Sequence, residues 1–332
     1  MRAWLLALVF TGCGGQRTDV AARTCGTCHA TQFTAWNTSA HARSGTSPVF
    51  DALLPRVERA WGTTARTQCL SCHQPGPEVA GGIGCATCHL AVGNRGESNG
   101  ALVVDLEAPL ASPGLPSERA PHTVARRAFL TSASLCGTCH EVRTPHLEEP
   151  TLSEYRTSPA ADEDSCASCH FREGHRVAGL SPRWDGSEEE RARTLEATRQ
   201  LVAEALRLEV VGDEVRLTNV GAAHAVPTGM ISLRDLWVDV TVFETDGSTT
   251  LATRVIELGG VPERDGVSVP LVTDATHVRS RSLAPGEVRT WKRDGARLEA
   301  RLYARGVRQE VLQALELPLV APTLTIQAAR GP

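Results

Sequence analysis

The feature that most constrains this chain is the arrangement of its cysteines. Ten of the eleven cysteines stand in five pairs, two residues separate the members of each pair, and a histidine follows every pair. The five Cys-x-x-Cys-His motifs are Cys25, Cys28 and His29; Cys69, Cys72 and His73; Cys85, Cys88 and His89; Cys136, Cys139 and His140; and Cys166, Cys169 and His170. Chance would produce one such motif on the order of once per hundred chains like this one. Five copies therefore indicate a repeated chemical requirement.

Cys-x-x-Cys-His is the attachment signature of c-type haem. Two thiols three positions apart lie on one side of a helical turn, where both can add to the vinyl groups of one porphyrin, and the next histidine can bind the iron. Three other uses explain less of the pattern. A redox dithiol needs one pair and no histidine, structural zinc leaves one of five pairs unmatched, and five short disulfides leave the histidines unexplained. The motifs therefore predict five covalently bound haem c groups, each with a proximal histidine on its iron.

The composition agrees with cofactors that fill much of the interior. Only six Phe, six Trp and two Tyr occur among 332 residues, although aromatic side chains usually supply much of the buried area of a core. Five porphyrins between residues 25 and 170 would fill that space, with short helices around each motif. The 34 basic and 38 acidic residues give a net charge of −4, whereas nucleic-acid-binding proteins carry a basic excess. Nucleic acid is therefore not an expected partner.

The first residues have the pattern of an export signal. Met1 and Arg2 precede an apolar run from Ala3 to Phe10, and small residues and Cys13 follow. This order is typical of a secretory signal, and the run is shorter than the roughly 20 apolar residues that a spanning helix needs. A cysteine after a small residue resembles the bacterial lipoprotein signal, in which Cys13 would carry the lipid; an ordinary cleaved signal is the alternative. We expect an exported protein in the periplasm or at the outer membrane surface, held to the membrane by a lipid anchor.

Six histidines lie outside the motifs and are candidates for the sixth ligand of each iron. Five irons with two histidines each would need five of them, and such ligation favours low reduction potentials relative to His/Met ligation. The expected sixth ligands are His41, His122, His146, His175 and His224. The remaining one, His277, lies in a polar run typical of a solvated loop. The fifth of these ligands is the least certain assignment, with His146, His277 and a vacant position as the alternatives.

Three stretches of the chain carry a family resemblance. Trp36, Ser39 and His41 form a Trp-x-x-Ser-x-His run, residues 136–145 read Cys-Gly-Thr-Cys-His-Glu-Val-Arg-Thr-Pro, and residues 219–229 read Asn-x-Gly-x-x-His-x-x-Pro-Thr-Gly. These stretches resemble exported multihaem c-type cytochromes related to the tetrahaem electron acceptor of ammonia oxidisers and to hydroxylamine oxidoreductase. The resemblance implies that His41 is an axial ligand and that the third stretch opens a β-rich domain. Residues 155–160 lack the histidine that related repeats would place there. An iron without a sixth ligand is therefore one of the alternatives.

The chain changes character after residue 180. Ser187 followed by three glutamates is a good helix start, and the helix should run to about residue 204. Strands are then expected at 206–210, 214–218, 236–244, 250–257, 286–292, 297–304 and 322–328, a spacing typical of a sandwich. The predicted fold class is α+β overall, with a mostly irregular and α-helical multihaem domain followed by a β-sandwich-like domain. Its predicted parts are a signal peptide at 1–13, a tether at 14–24, the pentahaem domain at 25–180, a helical linker at 181–206 and the β-sandwich-like domain at 207–332.

These features favour a protein that carries single electrons between redox partners in the cell envelope, such as other cytochromes, reductases or oxidases. No catalytic residue is predicted. Two alternatives stay open. One is an oxidoreductase that acts on a small nitrogen or sulfur compound at one five-coordinate haem. The other is a subunit of an extracellular cytochrome filament or conduit.

Overall fold

The computed structural model describes residues 22–76, 81–114, 120–162, 165–172, 174–181 and 183–331. The expected signal peptide with Cys13, and most of the expected tether, lie outside these residues. The described part mixes helices and strands, as the sequence predicts. Its helices are α1 (Ala22–Gly26), α2 (Ala30–Asn37), α3 (Pro48–Trp61), α4 (Thr63–His73), α5 (Cys85–His89), α6 (Ala133–Gly137), α7 (Thr151–Thr157), α8 (Cys166–His170), α9 (Glu188–Ala205) and α10 (Gln309–Ala314).

Short strands lie between the motifs, and longer ones follow α9. The strands of the described residues are β1 (Ala91–Asn94), β2 (Leu102–Val104), β3 (Leu110–Ser112), β4 (Val124–Arg126), β5 (Val142–Arg143), β6 (Glu148–Glu149), β7 (Leu206–Val211), β8 (Glu214–Asn219), β9 (Asp235–Phe243), β10 (Thr249–Arg264), β11 (Val267–Ser268), β12 (His277–Ser280), β13 (Val288–Lys292), β14 (Arg297–Arg305) and β15 (Thr323–Arg330). The first six form three separate pairs, β1 with β2, β3 with β4, and β5 with β6.

Each Cys-x-x-Cys-His motif lies at a turn of helix. α5 and α8 run from the first cysteine of a motif to its histidine, α4 ends at a motif histidine, and α1 and α6 contain the first cysteine of theirs. In the first and fourth motifs the histidine N–H donates to the carbonyl of the first cysteine at 2.9 Å, from His29 to Cys25 and from His140 to Cys136. This is the bond of a helical turn, so the backbone presents the cysteines and the histidine of a motif together.

Two antiparallel sheets contribute to the main hydrophobic core of the C-terminal half. One has the order β11–β10–β9–β14–β15, with β12 also paired to β10, and the other has the order β13–β8–β7. Leu217 in β8, Val238 in β9 and Leu302 in β14 are fully buried in one cluster. The cluster joins side chains of both sheets, which is the packing expected when two sheets lie face to face.

The strand predicted at 250–257 is longer in the structure. The register of β10 against β9 shifts between Ala252 and Ile256, and Arg254 between them has a φ of 54°. Such a bulge interrupts the alternation of side chains without ending the strand, so β10 continues beyond the predicted end and pairs with β11 and β12. His277, expected in a loop, is therefore the first residue of an exposed strand.

Helix α9 begins where the sequence predicts. The hydroxyl of Ser187 accepts from the Glu190 amide at 3.2 Å, and the Glu190 carboxylate accepts from the Ser187 amide at 2.8 Å. This reciprocal capping box satisfies two amides that the first turn leaves without partners. Among the described residues, no helix combines the length and apolar character that crossing a membrane requires.

Helix α3 connects the motif-bearing half to the C-terminal half. Val49 and Leu53 of α3 pack with Val311 and Leu312 of α10 in a second hydrophobic cluster. The Arg56 guanidinium, also on α3, donates to a carbonyl at the end of α10 at 3.2 Å. The two halves are therefore held together by apolar contacts as well as by the chain between them.

Candidate haem sites

Four motif histidines each face a second histidine across a gap of nearly constant width. The ring centroids are 6.2 Å apart for His29 and His122, 6.3 Å for His140 and His41, 6.1 Å for His89 and His175, and 6.2 Å for His170 and His224. Two imidazoles on opposite sides of one metal ion have centroids about 6 Å apart, because each metal–nitrogen bond is about 2 Å and each nitrogen lies about 1 Å from its ring centre. Each gap therefore has the width that one iron between two imidazoles requires.

Backbone carbonyls orient four of the imidazoles. The Nδ1 atoms of His73, His89, His170 and His224 lie 2.7, 2.8, 3.0 and 2.9 Å from the carbonyl oxygens of Ser44, Ala111, Ala178 and Ala225, respectively. A carbonyl oxygen only accepts, so Nδ1 carries the proton and Nε2 keeps a lone pair. Metal-binding histidines are commonly oriented in this way, and Nε2 is the free ligand atom in each of the four rings.

The surrounding protein desolvates the imidazoles of His41 and His140, although the His140 residue keeps an exposed surface. Burial, followed by the charges of neighbouring histidines, lowers the pKa of each imidazole to about 4. Burial also lowers the pKa of His224 below its ordinary value. These rings are therefore neutral at physiological pH, which is the state in which imidazole binds a metal.

No disulfide joins any of the ten motif cysteines in the described residues. Thiols of different motifs touch each other. A hydrogen-bonding contact with Cys139 raises the pKa of the Cys72 thiol, and a similar contact with Cys166 raises the pKa of the Cys136 thiol. The fourth motif is therefore a direct neighbour of both the second and the fifth, although the whole third motif separates the second from the fourth along the chain.

The second motif differs from the other four. The ring of His73 stacks on Phe50 with centroids 4.3 Å apart, and within the described residues no other histidine ring faces it. His146, the expected remaining ligand, is exposed and lies flat on Trp61, with centroids 4.7 Å and ring planes 2° apart. The sequence analysis expects His146 opposite a motif histidine, but the structure places it on Trp61. Stacking between aromatic rings is worth about 0.5–1.5 kcal/mol and holds His146 on the indole instead.

His277 also lies away from the motifs. It is exposed, and its Nε2 lies 3.1 Å from a carboxylate oxygen of Glu263. This surface position agrees with the polar sequence around His277. His277 therefore does not lie opposite His73, the histidine of the second motif.

Buried polar atoms beside the motifs supply a further test of whether haem fits. In the described structure the hydroxyls of Ser39, two residues before His41, and of Thr87, inside the third motif, are buried and have no hydrogen-bond partner. Buried polar groups are nearly always paired, and a haem brings polar propionates of its own. The two cysteines of each motif, the neutral imidazoles and these hydroxyls together fit covalently bound haem at the motifs.

Two charged residues with strongly shifted pKa values were missed by sequence reasoning. Burial, partly offset by the charge of Arg234, raises the pKa of Glu149 in β6 to about 7. The charge of Glu149 in turn contributes, after burial, to the raised pKa of the Cys69 thiol. Burial lowers the pKa of Arg234 to about 10. No local pattern marks either residue, because an isolated glutamate or arginine is usually on the surface.

Comparison with known proteins agrees with a multihaem protein. The family described as "Cytochrome c554 and c-prime" matches residues 24–90, which contain the first three motifs. Among solved structures, the chain is similar to the penta-heme cytochrome c552 from Thermochromatium tepidum, with a TM-score of 0.69 and 17% sequence identity over 94% of this chain and 98% of that chain. The chain matches no curated protein.

Together with the five motifs, the family match supports a multihaem c-type cytochrome with covalently bound haem c, and the solved structure shows a similar fold. The part that resembles the cytochrome c554 family is the segment of the first three motifs. The relationship to hydroxylamine oxidoreductase stays a prediction from the sequence.

Proposed function

We propose that the chain binds five haems and passes single electrons between redox proteins of the cell envelope. The observation that carries this proposal is the set of four histidine pairs whose centroids lie 6.1–6.3 Å apart. When bound, haem iron with two histidine ligands supplies reversible one-electron chemistry and offers no free position to a substrate. The four pairs therefore favour electron transfer over catalysis at four of the five sites.

Each proposed sixth ligand comes from a different segment than the motif it completes. His122 would complete the first site, His175 the third, His41 the fourth and His224 the fifth. A pair of ligands from separate segments also links those segments through the metal. This linkage explains how short helices and strands suffice to order the motif-bearing half.

The contacts between motifs support short transfer steps. The Cys72–Cys139 contact brings the second motif to the fourth, and the Cys136–Cys166 contact brings the fourth to the fifth. The cysteines form the attachment points of the cofactors, so these contacts place the edges of neighbouring sites together. We propose the fourth site as a junction between the second and the fifth.

Location and partners are part of the proposal. The apolar run at residues 3–10 and Cys13 support export and a lipid anchor, and hence action in the periplasm or at the outer membrane surface. We propose that the multihaem domain at 25–180 carries the electrons. The β-sandwich-like domain at 207–332, joined by the linker at 181–206, would cover it through the contact between α3 and α10. The partners would be other cytochromes, reductases or oxidases.

A second candidate function is favoured by His73, which faces no second histidine in the described structure. An iron with one free position can bind a small molecule. The second site would then act on a small nitrogen or sulfur compound, while the other four supply or remove electrons. A filament in which a neighbouring copy provides the missing ligand is a further way to complete this site.

The experiment that tests these proposals is low-temperature EPR of the oxidised holoprotein, with haem counted per chain. We expect five haems, four of them low-spin and one high-spin. Fewer than five haems would overturn the five-haem proposal, and five low-spin haems in the monomer would remove the catalytic candidate. A high-spin signal that shifts on addition of nitrite or hydroxylamine would favour catalysis, and one that becomes low-spin as the protein self-associates would favour the filament.

A further inference from the structure

Asn219 is the last residue of strand β8 and the first residue of the Asn-x-Gly-x-x-His stretch. It is buried, with 1% of its surface exposed. Its Nδ2 group donates to the carbonyl oxygens of His224 and Leu283, each at 3.0 Å, and its Oδ1 atom accepts from the Ala222 amide at 3.1 Å. One buried side chain therefore makes three hydrogen bonds in and around residues 219–226, the ligand segment.

The ligand segment is closed at its base. The main chain of Val226 pairs with that of Leu283 in both directions, at 2.9 and 3.0 Å, and the Leu283 carbonyl also accepts from Asn219. Gly221 passes so close to the end of helix α9 that a Cβ atom there would collide with the Glu204 carbonyl oxygen. Only glycine permits such a close approach of two main chains. The asparagine and the glycine of the stretch therefore both shape the segment that leads to its histidine.

The ligand segment meets the motif-bearing half beside His224. The Ala225 amide donates to the carboxylate of Glu154 in α7 at 2.9 Å. One residue earlier, the ring of His224 faces that of His170, the histidine of the fifth motif, with centroids 6.2 Å apart. The imidazole therefore projects from a segment that strand β8 holds on one side and helix α7 on the other. The C-terminal half supplies both the proposed sixth ligand of the fifth site and the side chain that fixes its main chain.

We propose that Asn219 is a positioning residue for the fifth haem site. It acts through His224 and not on the iron itself, because its three hydrogen bonds fix the main chain from which the imidazole projects. Without these bonds the ligand segment gains conformational freedom, and its imidazole occupies the binding position for a smaller fraction of the time. The C-terminal half then does more than cover the motifs, since it holds a haem ligand in place. This inference rests on the proposed function, because it requires a haem at the fifth motif.

The test compares two carboxamides that make equivalent hydrogen bonds. Gln327 in β15 donates to the carbonyl oxygens of Ala203 and Leu206 at 2.8 and 2.6 Å, and it accepts from the Leu208 amide at 2.8 Å. These bonds join α9, β7 and β15, and none of the three involves the ligand segment. Gln327→Ala is therefore the matched control for Asn219→Ala, because each variant removes two donated hydrogen bonds and one accepted hydrogen bond.

The readouts are haem per chain, low-temperature EPR of the oxidised holoprotein and the midpoint of denaturant unfolding. Both variants should unfold at lower denaturant concentration than the wild type. Only Asn219→Ala should raise the high-spin share, by up to one fifth of the haem, since one of five sites is affected. The low-spin signal that it loses should be the one that His224→Ala also loses. A residue that merely stabilised the β-rich half would lower the unfolding midpoint and leave the EPR spectrum unchanged.

If Asn219→Ala does not mature, Asn219→Asp takes its place. Aspartate keeps the shape of the side chain and the acceptor for the Ala222 amide but loses both donors, so the high-spin share should still rise. The inference is overturned if the variant carries five haems with the high-spin share of the wild type, or if Gln327→Ala raises that share equally. Unmodified Cys166 and Cys169 in the mass spectrum of the wild-type protein would instead overturn the proposed function.

Discussion

Replacing His224 with alanine tests the pairing of histidines across the haem sites. The ring of His224 lies 6.2 Å from that of His170, with 16° between the planes, and the Ala225 carbonyl orients it at 2.9 Å. Without this imidazole the fifth iron would keep one histidine and become high-spin. Five motifs and four histidine pairs leave one unpaired site in the wild type. The high-spin share should therefore double, from one fifth to two fifths of the haem.

The assay is the integrated EPR intensity of the oxidised protein, normalised to haem per chain. His277→Ala is the control, since His277 is exposed, contacts Glu263 and faces no motif. Added imidazole should restore the low-spin signal of His224→Ala, because it can enter the space that the side chain leaves. His122→Ala repeats the test at the first site. An unchanged high-spin share in a variant that retains five haems would refute the pairing.

Three further predictions concern stability and use denaturant unfolding of the holoprotein. Leu302 is fully buried between the sheets, so Leu302→Ala should lower the free energy of unfolding by about 2–5 kcal/mol; a change below about 1 kcal/mol would contradict that packing. Ser187→Ala removes the N-cap of α9 and should cost about 1 kcal/mol, whereas Ser187→Asp, which can still cap, should cost less. Glu97 accepts from Arg156 at 2.5 and 2.7 Å, and these bonds, with one from Ser134, hold its pKa at about 2, below the ordinary 4.5. Its stabilising contribution is therefore complete above pH 4.5 and is lost as the pH falls towards 2. Because both side chains are more than a third exposed to solvent, Glu97→Gln should cost no more than about 1 kcal/mol at neutral pH. It should also flatten the acid side of the stability profile; an unchanged profile would contradict this ion pair.

Elements with a local cause could be predicted from the sequence. The start of α9 follows from Ser187 and the glutamates after it, because a cap acts within one turn. The hairpin of β7 and β8 follows from alternating side chains around a turn at Gly212. The length of β10 could not be predicted, because the bulge at Arg254 depends on how this strand pairs with β9 and then with β12. Pairing between distant strands leaves no periodic signal in either strand alone.

The sequence by itself predicts where haem attaches to this protein. Covalent attachment requires two cysteines and a histidine within one helical turn, so the whole requirement is written in five consecutive residues. Only the tertiary structure shows which histidine lies opposite which motif histidine. His146 and His224 are both single histidines near a proline, yet the fold places one on Trp61 and the other opposite His170. These features depend on segments that meet only after folding, because a sixth ligand or a desolvated charge is defined by distance in space and not by spacing along the chain.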